Sequence, residues 1–132
     1  MVEVFARPPN FDEIDDVFKV AGLPVIFAYG GTIYNPERTE LTESLRAHEE
    51  VHGIRQGSDI EGWWKRYISD TKFRLNEEIP AHIAEYKKVC EISPTRNQRR
   101  VALHHIAARL ASGLYGGLIR YEDARRLIKA AA

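Results

Sequence analysis

The sequence predicts a predominantly helical α+β domain, with a small β-hairpin or sheet placed before a helix that carries His48 and His52. Three observations predict it. Apolar residues recur at helical spacing through most of the chain. One β-rich stretch, residues 25–34, breaks that pattern around Gly30-Gly31. The length, 132 residues, suits a single domain spanning 1–132 that buries roughly two-thirds of its unfolded surface without staples.

The elements follow in order. Asn10 is placed to cap a first helix, with Glu13 completing a capping box. Phe11, Ile14, Val17, Phe18 and Ala21 then form an apolar stripe that Gly22 and Pro24 end. Asp12, Asp15 and Asp16 make the wet face of that helix. Val25–Tyr29 reads as a strand, Gly30-Gly31 as a tight turn and Thr32-Ile33-Tyr34 as its partner, broken by Asn35-Pro36. The next helix starts near Thr39 or Thr42 and runs to about Gln56. A long helical stretch covers residues 60–90 with an interruption near Ser69-Asp70. Ser93-Pro94-Thr95 opens the last long helix, which ends by Gly113 or Gly116-Gly117, and a short helix follows Tyr121. There is no internal repeat, linker or low-complexity tract.

Residues 48–52 read His-Glu-Glu-Val-His. On a helix, His48 and His52 lie one turn apart on the same face. That spacing lets two neutral imidazoles bind one zinc ion, Zn2+. Glu49 sits beside them, where it can take a proton from water. This is the H-E-x-x-H arrangement of zinc metallopeptidases.

Such a site needs a third protein ligand. Positions 75, 78, 79, 82, 83 and 86 share a helical face, and Leu75, Ile79, Ile83 and Tyr86 make it the core-facing stripe. Glu78 and His82 fall inside that stripe, where a carboxylate is costly unless paired or bound to a cation. Glu78 is the favoured third ligand. His82 is the alternative, or else a hydrogen-bond partner of Glu78, and Glu85 is a weaker candidate. Glu77, about 100° round the helix, is expected in solvent. Pro80 cannot donate to the carbonyl of Asn76 and biases Ile79 away from helical geometry, so a kink here would turn this face.

The chemistry follows. Three protein ligands leave a fourth position for water, which the cation acidifies towards ~7. Glu49 takes the proton and passes it to the leaving amine. Tyr34, Tyr67, Tyr86 and Tyr115 are all candidate donors to the oxyanion. The strand Thr32–Tyr34, read as an edge, offers an extended substrate a pairing partner.

The run His48-Glu49-Glu50-Val51-His52, followed by Gln56, Trp63-Trp64, Tyr67, Phe73-Arg74 and Glu78-Ile79-Pro80-Ala81, resembles a minimal gluzincin. It is similar to the minigluzincins and to short HExxH proteins encoded by phages and prophages. Leu114-Tyr115-Gly116 and Ala124-Arg125 resemble the tail of the phage-type proteins, so the likeness covers roughly residues 25–126. The resemblance implies a zincin-like fold, a peptide or protein substrate, zinc held by His48, His52 and Glu78, and Glu49 as general base. A phage setting would add a virion or host-protein partner.

The remaining features read as structural. One of Trp63 and Trp64 should pack on the motif helix, with the other exposed or at an interface. Adjacent His104 and His105 cannot both face a metal, and one is expected in solvent. Cys90 is the only cysteine, so it forms no internal disulfide and packs as a small apolar residue. No apolar run reaches the ~18–20 residues of a membrane span. The N-terminus lacks a basic start and a signal-peptide apolar run. A cytoplasmic location without a membrane partner is therefore expected.

Net charge is zero but divided: residues 1–86 hold 9 Lys/Arg against 16 Asp/Glu, residues 87–132 hold 10 against 3. Arg96, Arg99, Arg100, Arg109, Arg125 and Arg126 would have to carry any nucleic-acid binding. They interleave with a core pattern and form no block, which favours a solvated helix face over nucleic acid. Two functional classes stand: a zinc-dependent peptidase or amidase, and a non-catalytic zinc-stabilised interaction or phage-assembly module.

Overall fold

The hairpin forms where the turn residues place it. In the computed structural model, which describes Met1–Ala132, β2 (Phe27–Tyr29) and β3 (Thr32–Tyr34) pair antiparallel across Gly30-Gly31, with Ala28 opposite Ile33. A third strand, β1 (Val2–Val4), pairs parallel to β3, giving the order β1-β3-β2. Thr32–Tyr34 is therefore the central strand and has no free edge, which corrects its reading as a docking edge. The three residues of β1 are too few to show a period of two.

Helix α1 (Phe11–Phe18) follows β1 and buries Phe11 and Ile14. Its predicted capping box does not form: the Asn10 side chain makes no cap hydrogen bond, and both its amide atoms are buried without partners. The helix ends at Phe18, with Lys19 in the left-handed region (φ 53°), so the turn comes before Gly22. Val17 faces solvent, and the apolar stripe is narrower than expected.

Helix α2 (Glu43–Gln56) carries the motif and starts at Thr42, whose hydroxyl accepts from the Leu45 amide. Its fully buried residues are all polar: His48, Glu49, His52 and Gln56. The Gln56 amide fastens α2 to the hairpin, donating to the Ala28 carbonyl at 2.8 Å and accepting from the Gly30 amide at 2.7 Å. Gly53 lets the two approach, since a Cβ there would lie 2.7 Å from the Gly30 carbonyl oxygen and 2.9 Å from Met1 Cε. Gly53→Ala is expected to destabilise the fold by about 1–3 kcal/mol through this overlap, outweighing the ~1 kcal/mol that alanine gains in a helix interior. A lowered urea midpoint with unchanged slope would register it.

Asp70 ends α3 (Ile60–Ser69) and caps α4 (Thr71–Ile92) by accepting from the Phe73 amide, as the expected interruption requires. Helix α4 runs unbroken through Pro80. Asn76, whose carbonyl loses its helical donor, is exposed. The α5 helix (Arg96–Leu110) opens with a Thr95–Gln98 capping box, and α6 (Tyr121–Ala131) closes the chain. No helix is long and apolar enough to cross a membrane.

Two apolar clusters flank the polar contact between α2 and α4. Phe11, Ile14, Val20, Phe27, Trp63, Trp64 and Tyr67 form one, with both tryptophans buried, against the expectation that one would lie free. Tyr86, Leu103, Ile106, Leu110, Ala124 and Ile128 build the other, with Cys90 packed against it. Helix α4 serves both clusters, through Phe73 and Tyr86.

Candidate metal centre

Helices α2 and α4 bring His48, His52 and Glu78 together, with their ligand atoms all within 4.8 Å of one another. Glu78 Oε1 lies 3.2 Å from His52 Nε2 and 3.4 Å from His48 Nε2. Tyr67 orients this carboxylate, donating to Oε2 at 2.5 Å and leaving Oε1 to face the imidazoles. Pro80 does not turn the face away.

The buried stripe of α4 is a polar one, running through Arg74, Glu77, Glu78, Ala81, His82 and Glu85. Leu75, Ile79 and Ile83 flank it and pack on the second apolar cluster. Glu77 is buried, not solvated: it accepts from Trp63 Nε1 at 2.7 Å and from Arg55 at 2.6 Å. Glu85 does not join the ligands. It accepts from His48 Nδ1 at 2.9 Å and is ion-paired with Arg109. That contact makes Nδ1 the protonated nitrogen, so the Nε2 lone pair of His48 is free for a metal. The Nδ1 of His52 has no such partner.

His82 is fully buried, but its Nδ1 donates to the Glu78 carbonyl at 2.7 Å, and it stays outside the ligand group. Its Nε2 is unpartnered. Burial, then the charge on His48, push its pKa down to about 3.

The electrostatics call for a cation. Burial opposes charge on His48, yet Glu78 and Glu85 overcome it and raise its pKa to about 10. Glu78 is held well below the usual carboxylate range by His52 and His48 despite its burial. A proton on His48 and a metal ion thus compete for one position among these carboxylates. Glu49 has no hydrogen-bond partner, and burial pushes its pKa up.

The group opens into a small apolar void of about 70 Å³, walled by Phe18, Phe27, Trp63, Trp64, Leu114 and Tyr115 among others, with Glu49 at its side. Of the four candidate tyrosines, Tyr67 and Tyr115 line this void. Tyr34 lies in the sheet and Tyr86 in the second cluster. His104 and His105 are both exposed, and His104 pairs with Tyr121. Arg109 is ion-paired with Glu85 behind His48. The roles of Gln56, Tyr67, Glu85 and Arg109 escaped the sequence reading. The available signal was the polar i, i+4, i+7 series in α4, which has no apolar reason to be buried.

A mostly helical α+β chain with a buried His-His-Glu group able to hold a metal ion is the class that fold and site define. Compared with known proteins, it matches no family model, no curated sequence and no solved structure.

Proposed function

We propose that the chain is a zinc-dependent hydrolase of peptide or amide bonds, zincin-like and of minimal gluzincin type. His48, His52 and Glu78 would hold the ion and Glu49 would act as general base. The observation that carries this reading is the convergence of two imidazole Nε2 atoms on Glu78 Oε1, beside an unpartnered Glu49 in an apolar pocket. Two nitrogens and a carboxylate oxygen suit zinc, and the Glu85 contact on His48 is the outer partner that zinc-binding histidines take.

A bound zinc ion supplies a Lewis acid that activates water at neutral pH. Glu49 accepts a proton from the attacking water and delivers it to the departing amine nitrogen. Tyr115, on the pocket wall, is assigned as donor to the carbonyl oxygen that gains charge. Arg74 fixes the Tyr115 backbone, donating to its carbonyl at 2.9 Å.

Elemental mass spectrometry of the purified protein is expected to find a single zinc per chain. A fluorogenic casein should be hydrolysed, with activity lost to a chelator and restored by zinc. A chain that stays metal-free after dialysis against zinc, or cleavage indifferent to chelator, overturns the reading.

A further inference from the structure

The group that would bind metal is closed off. His48, Glu49, His52 and Glu78 are each between 3 % and 6 % exposed. If the site is a hydrolase, as proposed above, a chain segment reaches it only when part of the wall moves.

Most of the wall is tied in place. Trp63 is bonded to Glu77, Trp64 to the Ala28 carbonyl and Tyr67 to Glu78, while Arg74 anchors Tyr115. The part formed by Ile14, Phe18 and Val20, from α1 and the turn after it, is different. From Phe11 to Leu23, the hydrogen bonds close locally: Phe11 to Pro8, Ile14 to Asn10, Lys19 and Ala21 to Asp15, Leu23 to Val20. Beyond its immediate chain neighbours Pro8, Asn10 and Val25, no hydrogen bond or ion pair ties this segment to the rest of the protein.

Apolar and cation–π contacts alone dock α1. Phe11 meets Phe27 edge-on at 5.9 Å, Phe18 lies 6.0 Å from Tyr67, and the Arg74 guanidinium sits 4.6 Å from the Phe18 ring centre. The docked state also leaves the Asn10 amide buried and unpartnered, which favours release. The segment is flanked by Pro8-Pro9 on one side and by Lys19 (φ 53°), Gly22 (φ 78°) and Pro24 on the other. Gly22 supplies backbone freedom at the C-terminal flank, and the prolines stiffen the chain on either side, so the short helix would move as a unit.

The chemistry of the vacated wall says what replaces α1. Val25, Ile26, Phe27, Trp63, Trp64 and Leu114 remain there, and the only ionisable carboxylates lining the void are Glu49 and Glu78. With Glu78 committed to the metal and Glu49 to the attacking water, a charged side chain would lose its hydration without gaining a free partner, whereas a large apolar one gains by burial.

We propose that α1 is a hinged cover over the metal pocket, and that a bound chain segment takes its place by seating a large apolar side chain against the exposed wall.

Hydrogen exchange on the zinc-treated full chain, with alanine hydroxamate and phenylalanine hydroxamate as probes, tests this. The amides of α1 should exchange about 100-fold or more faster than those of α4 around His82, as a local opening does relative to global unfolding. Phenylalanine hydroxamate should bind about tenfold or more tightly than alanine hydroxamate, from burial of the ring, and should further speed exchange in α1. Phe18→Ala should hasten exchange in α1 alone, with α4 reporting that the fold survives. Protection of α1 equal to that of α4, or equal affinity for the two hydroxamates, overturns the proposal. Metal analysis of the same sample separates the two ideas: a metal-free chain sinks the hydrolase reading, while the exchange rates still decide whether α1 opens.

Discussion

Glu49→Gln is expected to lower kcat/KM for peptide hydrolysis by about 10²–10⁴-fold while leaving zinc content unchanged. The substitution is isosteric and removes only the ability to accept a proton. Glu49 is not among the converging ligand atoms, so metal binding has no reason to fall. The carboxylate also makes no hydrogen bond, and burial raises its pKa, so its charge works against the folded state. A glutamine there is expected to leave the metal-free protein at least as stable as the parent in a urea titration. Lost activity, kept metal and kept stability together mark a general base. A variant that still hydrolyses casein at the parent rate would place the proton transfer elsewhere. A parent protein that binds zinc without any cleavage for Glu49→Gln to remove would leave the non-catalytic zinc module as the better reading.

The two halves of the site were unequally legible in the sequence. The motif helix announced itself, because His48 and His52 at i and i+4 have a meaning that depends only on helical spacing. Thr39 or Thr42, the break near Ser69-Asp70 and the run Ser93-Pro94-Thr95 likewise marked helix boundaries, and the caps there are Thr42, Asp70 and Thr95. At Asn10 the same signal misled. Its residue type suits a cap, but the chain arriving from Pro8-Pro9 holds it at φ −102° and ψ 24°, and the side chain does not reach. On α4 the apolar residues drew the eye to the face of Leu75, Ile79 and Ile83, whereas the side turned to α2 is polar. Glu78 belongs to both descriptions, so it was found. Glu77 and Glu85 belong only to the second, and their partners Arg55, Trp63 and Arg109 come from other helices. Spacing within α4 could suggest that Glu85 turns inward, but it could not name those partners. The closed pocket was illegible for the same reason, since α1 covers a site more than 25 residues away along the chain.

Glu78→Ala is expected to abolish zinc binding, and the variants around it should fall into a graded series. Removing Glu78 takes away one of three protein ligands and the only anion within reach of both imidazole Nε2 atoms. It also strips the buried Tyr67 hydroxyl of its acceptor, at about 1–3 kcal/mol even in the metal-free chain. Glu85→Gln leaves the ligands in place and weakens only the hold on His48 Nδ1, so zinc affinity should drop about 10–100-fold without vanishing. His82→Ala should keep the zinc, because its Nδ1 is spent on the Glu78 carbonyl and its ring lies outside the ligand group. Competition against a chelator of known affinity ranks the three. The order matters more than any single value, because destabilisation alone would weaken zinc binding in proportion to lost stability. A ligand set of His48, His52 and Glu78 predicts the largest loss from Glu78→Ala, whatever the urea midpoints. Retention of zinc by Glu78→Ala with loss in His82→Ala would instead give the third position to the imidazole whose Nε2 stands unpartnered beside His48.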